Sequence, residues 1–233
     1  RVDYKADNYQ AIIAMPEEGQ IIYAKNSSTV KNSELKGQSV KDFLAAVEAA
    51  KANERKTIKS TDIVAYASPE GPEKFNNELS DSRSNSAQKA FNKVTKKAPI
   101  DAPVNVKSVG EDWEGFQALV ANSNLEDKDL ILRVLSMYSD PAVREQEIRN
   151  MSAVYTTLAK DVLPGLRRAR FIANVEFTNY SSEELLKLVD ENIDVLDEEA
   201  LLRAATLVKC ENKATIYKKA IEKYNSANGQ YNL

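Results

Sequence analysis

The sequence predicts an α+β domain followed by an all-α unit, and three features of its hydrophobic pattern support this assignment. Strand-type and helix-type periods alternate in the first half of the chain in the order β-α-β-α-β. A helical stretch then precedes a strand in which Phe171, Ala173, Val175 and Phe177 alternate as one buried face. Past Asn179 the pattern is helical throughout. We therefore expect a mixed sheet with helices over one face, interrupted by a helical insertion before its last strand.

Local residue types mark the elements of the first domain. Short β-rich runs predict strands at 21–23, 63–67 and 104–107. Two prolines and a glycine predict a turn at 68–72, and a helix follows at 75–96. Another amphipathic helix separates the first two strands, and its apolar residues recur at i, i+3, i+4 and i+7: Val40, Phe43, Leu44 and Val47.

The predicted boundaries divide the chain in two. We expect the α+β domain at residues 1–178, with its helical insertion at about 110–166, and a helical unit at 179–233. Within the helical unit, Ser181 caps one helix and Asp197 opens the next.

The composition excludes several classes of chemistry. The 233 residues contain no histidine, which rules out a Ser-His-Asp triad, a Cys-His pair and a His-ligated zinc site. The single cysteine, Cys210, cannot form an internal disulfide or complete a Cys-rich metal site. We therefore expect no metal, no cofactor and no enzymatic activity. Acidic pairs such as Glu111 with Asp112 leave a glycosidase as a minor alternative.

Charge and hydropathy limit the partners. The 32 Lys and Arg against 35 Asp and Glu give a net charge of -3, so we expect no nucleic-acid partner. No apolar run reaches the roughly 18–20 residues of a membrane span, so we expect no transmembrane segment. The chain begins at Arg1 rather than Met, and we expect it to be a fragment of a longer protein.

The segment that leaves the second strand carries a recognisable motif. Its elements stand in this order: Ala65-Tyr66-Ala67-Ser68-Pro69-Glu70-Gly71, Phe75-Asn76, Leu79-Ser80 and Arg83. This pattern resembles the peptidoglycan-binding C-terminal domain of OmpA-like outer-membrane proteins, in which a strand, a Thr-Asp turn with a glycine, an aromatic-Asn pair and Leu-Ser-x-x-Arg follow one another. The Ala-Ser-Pro-Glu-Gly motif and the helical insertion are similar to those of a variant group of these proteins from Bacteroidetes. The resemblance covers about residues 20–178.

The resemblance implies a non-catalytic periplasmic domain that binds peptidoglycan and tethers an outer-membrane-associated protein, with other envelope proteins as partners of the helical regions. In the family, the Asp of the turn pairs with the ammonium of diaminopimelate, and the helix-borne Arg pairs with its carboxylate. At the positions that match the family motif, this sequence has Arg83 for the Arg, Gly71 for the Gly and Asn76 for the Asn. Ser68 stands where the family has the Asp. An Arg fork opposite a carboxylate suits recognition of a zwitterion.

Ser68 departs from the family pattern. A hydroxyl lacks the charge of a carboxylate, which costs on the order of 1–3 kcal/mol in an ammonium contact. Glu70, Glu73 and Asp81 are nearby carboxylates that could supply that charge, and we include Glu70 in the predicted site. The alternative function is a protein-protein interaction module on the same scaffold that has lost diaminopimelate binding. In that case Ser68→Asp is expected to restore some binding.

Several of these residues also have a structural explanation. Arg83 lies on the least polar stripe of its helix, which suits either a ligand contact or a buried ion pair with an acidic neighbour. The segment 68–72 suits a plain turn, and Asn76 suits a helix cap. Trp113 stands at helical spacing from apolar residues, which favours core packing. The Arg-rich run 167–170 is typical of a solvated face.

The C-terminal tail loosely resembles one tetratricopeptide-type helix pair. Ala204 and Ala205 in one helix, with Tyr217 and Ala220 in the next, have the small and aromatic residues of such pairs, but the Trp-Leu-Gly-Tyr signature is absent. A single pair cannot bury its own apolar face. We therefore expect this unit to dock on the preceding domain or to begin an array that is truncated here.

Overall fold

The computed structural model describes residues 5–233, which divide into two compact units. The larger unit runs from Met15 to Glu176. The smaller unit joins the described N-terminal residues, up to Ala14, to the chain from Phe177 to Leu233. The sequence pattern does not indicate that the N-terminal segment groups with the C-terminal helices.

The chain is an α+β protein with a mixed sheet, as predicted. Within the described residues the sheet has five strands: β1 (Ile12–Ala14), β2 (Glu17–Ile22), β3 (Lys56–Ala67), β4 (Val104–Glu111) and β5 (Arg168–Thr178). Their order is β1-β5-β3-β4, and β2 also pairs with β5. The pairing of β3 with β4 is parallel, and that of β2 with β5 is antiparallel. The short strand β1 and the first half of β3 are absent from the sequence prediction.

Helices connect these strands and continue after the last strand. In the larger unit they are α1 (Asn32–Leu35), α2 (Gln38–Ala52), α3 (Glu73–Val94), α4 (Trp113–Ala121), α5 (Lys128–Met137), α6 (Pro141–Asn150), α7 (Ser152–Asp161) and α8 (Leu163–Leu166). The smaller unit contains α9 (Ser182–Glu191), a 3-10 turn (Ile193–Val195), α10 (Glu198–Leu207), α11 (Cys210–Tyr224) and α12 (Ala227–Asn232). Across residues 5–233, no helix is both long enough and apolar enough to cross a membrane.

The predicted helix starts agree with the side-chain caps. The side chains of Ser181 and Asp197 accept hydrogen bonds from the backbone N–H groups of Glu184 and Ala200, and Ser181 completes a full capping box. These caps satisfy N–H groups that have no partner within the helix.

Helices α2 and α3 cover one face of the sheet. Three aromatic rings fill this core, with centroids 5.4 to 6.5 Å apart: Phe43 from α2, Phe91 from α3 and Phe171 from β5. Alternate residues of the strands, such as Ile63 and Ala65, point into the same cluster. The opposite face of β3 and β5 therefore carries the intervening residues.

The insertion α4–α8 has a core of its own. Its fully buried side chains include Phe116, Ile131, Leu158, Leu163 and Leu166. This hydrophobic cluster is separate from that of the sheet, so the helices of the insertion pack mainly against one another.

The smaller unit is built from both ends of the chain. Leu201, Ala204 and Tyr217 lie in its apolar core, and Tyr9 packs against that core. The Tyr9 hydroxyl donates a 2.6 Å hydrogen bond to the carbonyl of Tyr180. The N-terminal segment thus supplies part of the apolar cover that the helices need.

Gly19 marks the closest approach of β2 to α2 and gives a stability test. A Cβ at Gly19 would lie 2.6 Å from Cβ of Phe43 and 2.9 Å from the Ser39 carbonyl oxygen, so Gly19→Ala must displace the helix. We expect a loss of about 1–3 kcal/mol in unfolding free energy, measured by urea denaturation and circular dichroism. Gly165→Ala is the matched control, because its nearest contact would be an ordinary 3.7 Å to Leu119 Cδ1. Equal stability of the two variants would contradict this packing.

Candidate functional site

The turn at 68–72 connects the end of β3 to the start of α3, and its backbone requires a glycine. Gly71 has φ +91°, a conformation that side chains of L residues rarely adopt. Its N–H donates a 2.5 Å hydrogen bond to Oε1 of Glu145 in α6. Arg149 in turn donates two hydrogen bonds to the same carboxylate oxygen. The insertion therefore packs against the turn.

Glu70 is the buried carboxylate of this turn, with its side chain 5% exposed. Its Oε1 accepts hydrogen bonds from Nε of Arg167 at 2.9 Å and from the Ser68 hydroxyl at 2.8 Å, and Nη2 of Arg167 lies at ion-pair distance from it, also 2.9 Å. Its Oε2 lies 3.3 Å from Nζ of Lys25, an ion pair by distance, but has no hydrogen bond with proper geometry. Ser68 therefore serves as a donor to a carboxylate two residues away.

The charges around Glu70 change its titration. Burial alone would raise the pKa of Glu70, but hydrogen bonds from Arg167 and Ser68 and the charges of Arg167 and Lys25 outweigh it. The net result is a lowered pKa, so Glu70 is an anion at neutral pH.

Asn76 ties this turn to the end of β4. Its side chain is almost fully buried, and its Nδ2 donates hydrogen bonds to the Glu70 carbonyl at 3.2 Å and to Glu111 Oε1 at 2.8 Å. The other oxygen of Glu111 accepts from Nε1 of Trp113 at 2.9 Å. Burial raises the pKa of Glu111. Asn76 lies inside α3, whose N-cap is Pro72, so Asn76 is a bridge rather than the predicted helix cap.

Arg83 is fully buried, and its guanidinium is held by backbone carbonyls. Nε donates to Ser27 at 2.9 Å, Nη1 to Tyr66 at 3.0 Å and Nη2 to Ala24 at 3.2 Å. The guanidinium also lies 5.0 Å from the centre of the Tyr23 ring. Burial lowers the pKa of Arg83 to about 10, which leaves it charged at neutral pH. Its partners are carbonyls instead of the acidic neighbour that the sequence suggested.

The structure brings four of the five predicted site residues together. Ser68, Glu70, Gly71 and Asn76 contact one another directly at the turn, whereas Arg83 is enclosed among carbonyls. Of the three carboxylates proposed to replace the missing charge, Glu70 is the one in contact with Ser68, while Glu73 and Asp81 are exposed.

The prediction of a solvated face for the Arg-rich run 167–170 is wrong. Arg167 pairs with Glu70 at 2.9 Å, and the other two arginines also form ion pairs, Arg168 with Asp112 at 2.9 Å and Arg170 with Glu18 at 2.6 Å. The Arg167–Glu70 pair is a site contact that the local sequence pattern could not reveal, because its partners lie far apart in the chain.

A surface pocket of about 140 Å³ opens beside the turn. Glu70, Gly71 and Pro72 line it on one side, and the cations Lys25 and Arg149 line it as well. The half-exposed ring of Phe75 completes a wall. The pocket therefore combines one carboxylate, two cations and an apolar surface. Within the described residues, no group of three His, Cys, Asp or Glu side chains could hold a metal ion.

No model of a known protein family matches the chain, and no curated protein matches it significantly. The likeness to OmpA-like domains therefore rests on the motif residues.

The pH dependence of stability tests the environment of Glu70. Because its pKa is lower in the folded protein than the ordinary value of 4.5, Glu70 stabilises the fold above that pH. This contribution is lost as the pH falls through the lower folded pKa. We expect Glu70→Gln to reduce unfolding free energy at pH 7, and the difference from wild type to shrink towards pH 3 in urea titrations. A difference that stays constant between these pH values would contradict the ion pairing.

Replacement of Arg83 tests whether its role is structural. Arg83→Met removes the donors of three carbonyls, and we expect a loss of about 3 kcal/mol or more in unfolding free energy. Lys89→Met, an exposed position on the same helix, is the matched control and should leave stability within about 0.5 kcal/mol of wild type. Denaturation curves that coincide for the two variants would rule out the structural role.

Proposed function

We propose that the larger unit is a non-catalytic domain of the cell envelope that binds peptidoglycan at the pocket beside the turn 68–72. In this proposal it belongs to the OmpA-like type, faces the periplasm and tethers an outer-membrane-associated protein. The observation that carries the proposal is the buried carboxylate of Glu70, which lines this pocket next to Lys25 and Arg149. The β3-turn-α3-β4 arrangement and the motif residues support the same assignment.

The pocket suits a zwitterion such as the end of a diaminopimelate side chain. The ammonium of such a ligand would replace Lys25 beside Oε2 of Glu70, which has no hydrogen-bond donor of proper geometry. Its carboxylate would lie between Lys25 and Arg149, which both line the pocket, and would share Arg149 with its present partner Glu145. The ammonium of the ligand would then face the carboxylate of the pocket, and the carboxylate of the ligand would face its cations.

In this proposal Glu70 replaces the family Asp and makes Ser68 a supporting residue. The Ser68 hydroxyl orients the carboxylate by donating to Oε1, and Arg167 holds the same oxygen. An Asp at position 68 would face Glu70 across the same short distance, and the two negative charges would repel each other. We therefore expect Ser68→Asp to weaken the site, contrary to the expectation from the family pattern.

The ligand contacts are solvent-exposed on the cation side, because the Lys25 side chain is 59% exposed. Exposed ion pairs contribute about 0.2–1 kcal/mol each. We therefore expect a dissociation constant near the millimolar range for a single wall peptide, with stronger retention on whole peptidoglycan through many weak sites.

A second candidate function is a protein-protein interaction module that does not bind diaminopimelate. The burial of Arg83 favours it, because the guanidinium that binds the ligand carboxylate in the family is enclosed by backbone carbonyls here. The insertion also exposes apolar side chains at Leu119, Leu130 and Met137. Envelope proteins are then the partners of the helical regions, which include the tetratricopeptide-like pair α10 and α11.

Calorimetric titration with a diaminopimelate-containing wall peptide distinguishes the two functions. For the peptidoglycan-binding domain we expect saturable binding, weakened about tenfold in Glu70→Gln because the charge opposite the ammonium is lost. For the interaction module we expect no heat of binding at any reachable concentration.

Glu78→Gln is the matched control for this titration, since Glu78 is an exposed carboxylate on the same helix. Circular dichroism must show that both variants are folded. Equal affinities for wild type and Glu70→Gln would contradict the proposed role of Glu70, and no binding by folded wild type would favour the interaction module.

A further inference from the structure

An open groove of about 800 Å³ lies in the larger unit, on the sheet face opposite α2 and α3. Its floor consists of alternate residues of β3, β4 and β5, which point away from the aromatic core. The N-terminal part of α4, with Trp113, forms one end. This volume lies in the range of about 300–1,000 Å³ found for ligand sites.

Tyr66 is part of the groove floor, and two arginines contact its ring and its hydroxyl. The guanidinium of Arg168 lies 5.2 Å from the centre of the Tyr66 ring, and Nη1 of Arg170 donates to the Tyr66 hydroxyl at 3.2 Å. Asp112 pairs with Arg168 and Glu18 pairs with Arg170. Both arginines are therefore paired with a carboxylate, so the groove floor is polar but these two residues give it no unpaired positive charge.

The other end of the groove carries planar hydrogen-bonding groups. Asp62 accepts hydrogen bonds from the side-chain amides of Asn105 and Asn174, each at 2.9 Å. Asn105, Lys107 and Val109 follow one another along the groove side of β4 and are exposed. From Asp62 to Tyr66 the groove extends about 13 Å along β3, enough for a ligand of several linked units.

We infer that this groove is a binding site for an oligosaccharide. Polar amide and carboxylate groups alternate there with the apolar surfaces of Val64 and Val109, and a pyranose ring offers the same combination of hydroxyl edges and an apolar face. A polyanion fits poorly, because Lys107 is the one groove-lining cation among the described residues without an ion pair there. The groove and the pocket at the turn share no lining residue, so the two sites can be tested separately.

Intrinsic fluorescence gives a direct readout, because Trp113 is the single tryptophan of the chain and lines the groove. The probes are the β-1,4-linked tetramer of N-acetylglucosamine and maltotetraose, and the choice of the first rests on the proposed peptidoglycan function. We expect a saturable change in Trp113 emission with at least one sugar. Asn105→Ala and Lys107→Ala should each weaken it about three- to tenfold, since each loses a hydrogen-bonding group from an exposed position.

Two control variants keep the test specific. Val106→Ala changes an exposed residue on the other side of β4, and Glu78→Gln changes an exposed carboxylate of α3 that does not line the groove, so both should bind the sugar like wild type. The inference is overturned if neither sugar gives a saturable change up to about 10 mM. It is also overturned if Asn105→Ala, Lys107→Ala and Val106→Ala bind equally, or if an extended peptide saturates the response while both sugars fail. Wall-peptide binding without sugar binding would leave the proposed function in place and reject the groove.

Discussion

The hydrogen bonds from the buried guanidinium of Arg83 to backbone carbonyls are the interaction on which the rest of the larger unit depends. A cation in a protein core is unstable unless polar partners surround it, and here the carbonyls of Ala24, Ser27 and Tyr66 supply them. These carbonyls belong to the segment after β2 and to the end of β3. Arg83 therefore fixes α3 against β3 and against the segment that follows β2, and this contact also positions the turn that precedes α3.

The same region distributes its charges so that each buried ion has a partner. Glu70 accepts one hydrogen bond from Arg167, with which it also forms an ion pair, and one from Ser68, and its charge also favours the charged form of Arg83. The proximity of Arg167 has the opposite effect on Arg83. Glu70 thus balances two cations at once, which explains why a carboxylate can remain ionised inside the fold.

Hydrophobic period predicts the larger features of this fold well, because burial on one face imposes the period directly. The mixed sheet, the insertion and the helix starting after Ser181 follow from it. Strand β1 was not predicted, because its pair Ile12-Ile13 is followed by Ala14 and shows neither alternation nor an aromatic residue. The ion pairs of Arg167, Arg168 and Arg170 could not be predicted from the sequence either. Whether Arg168 is solvated depends on Asp112, and a local pattern contains no information about contacts across the sheet.

The motif that resembles OmpA-like domains differs from that pattern at Ser68, and the contacts of the turn show where its negative charge lies. The carboxylate of the turn is that of Glu70, which Ser68 and Arg167, the residue just before β5, both contact. Arg83 donates its hydrogen bonds to backbone carbonyls. Arg167, and not Arg83, is therefore the arginine that is hydrogen-bonded to the carboxylate of the turn. A motif match transfers residues between proteins, but their roles follow from the contacts that each chain makes.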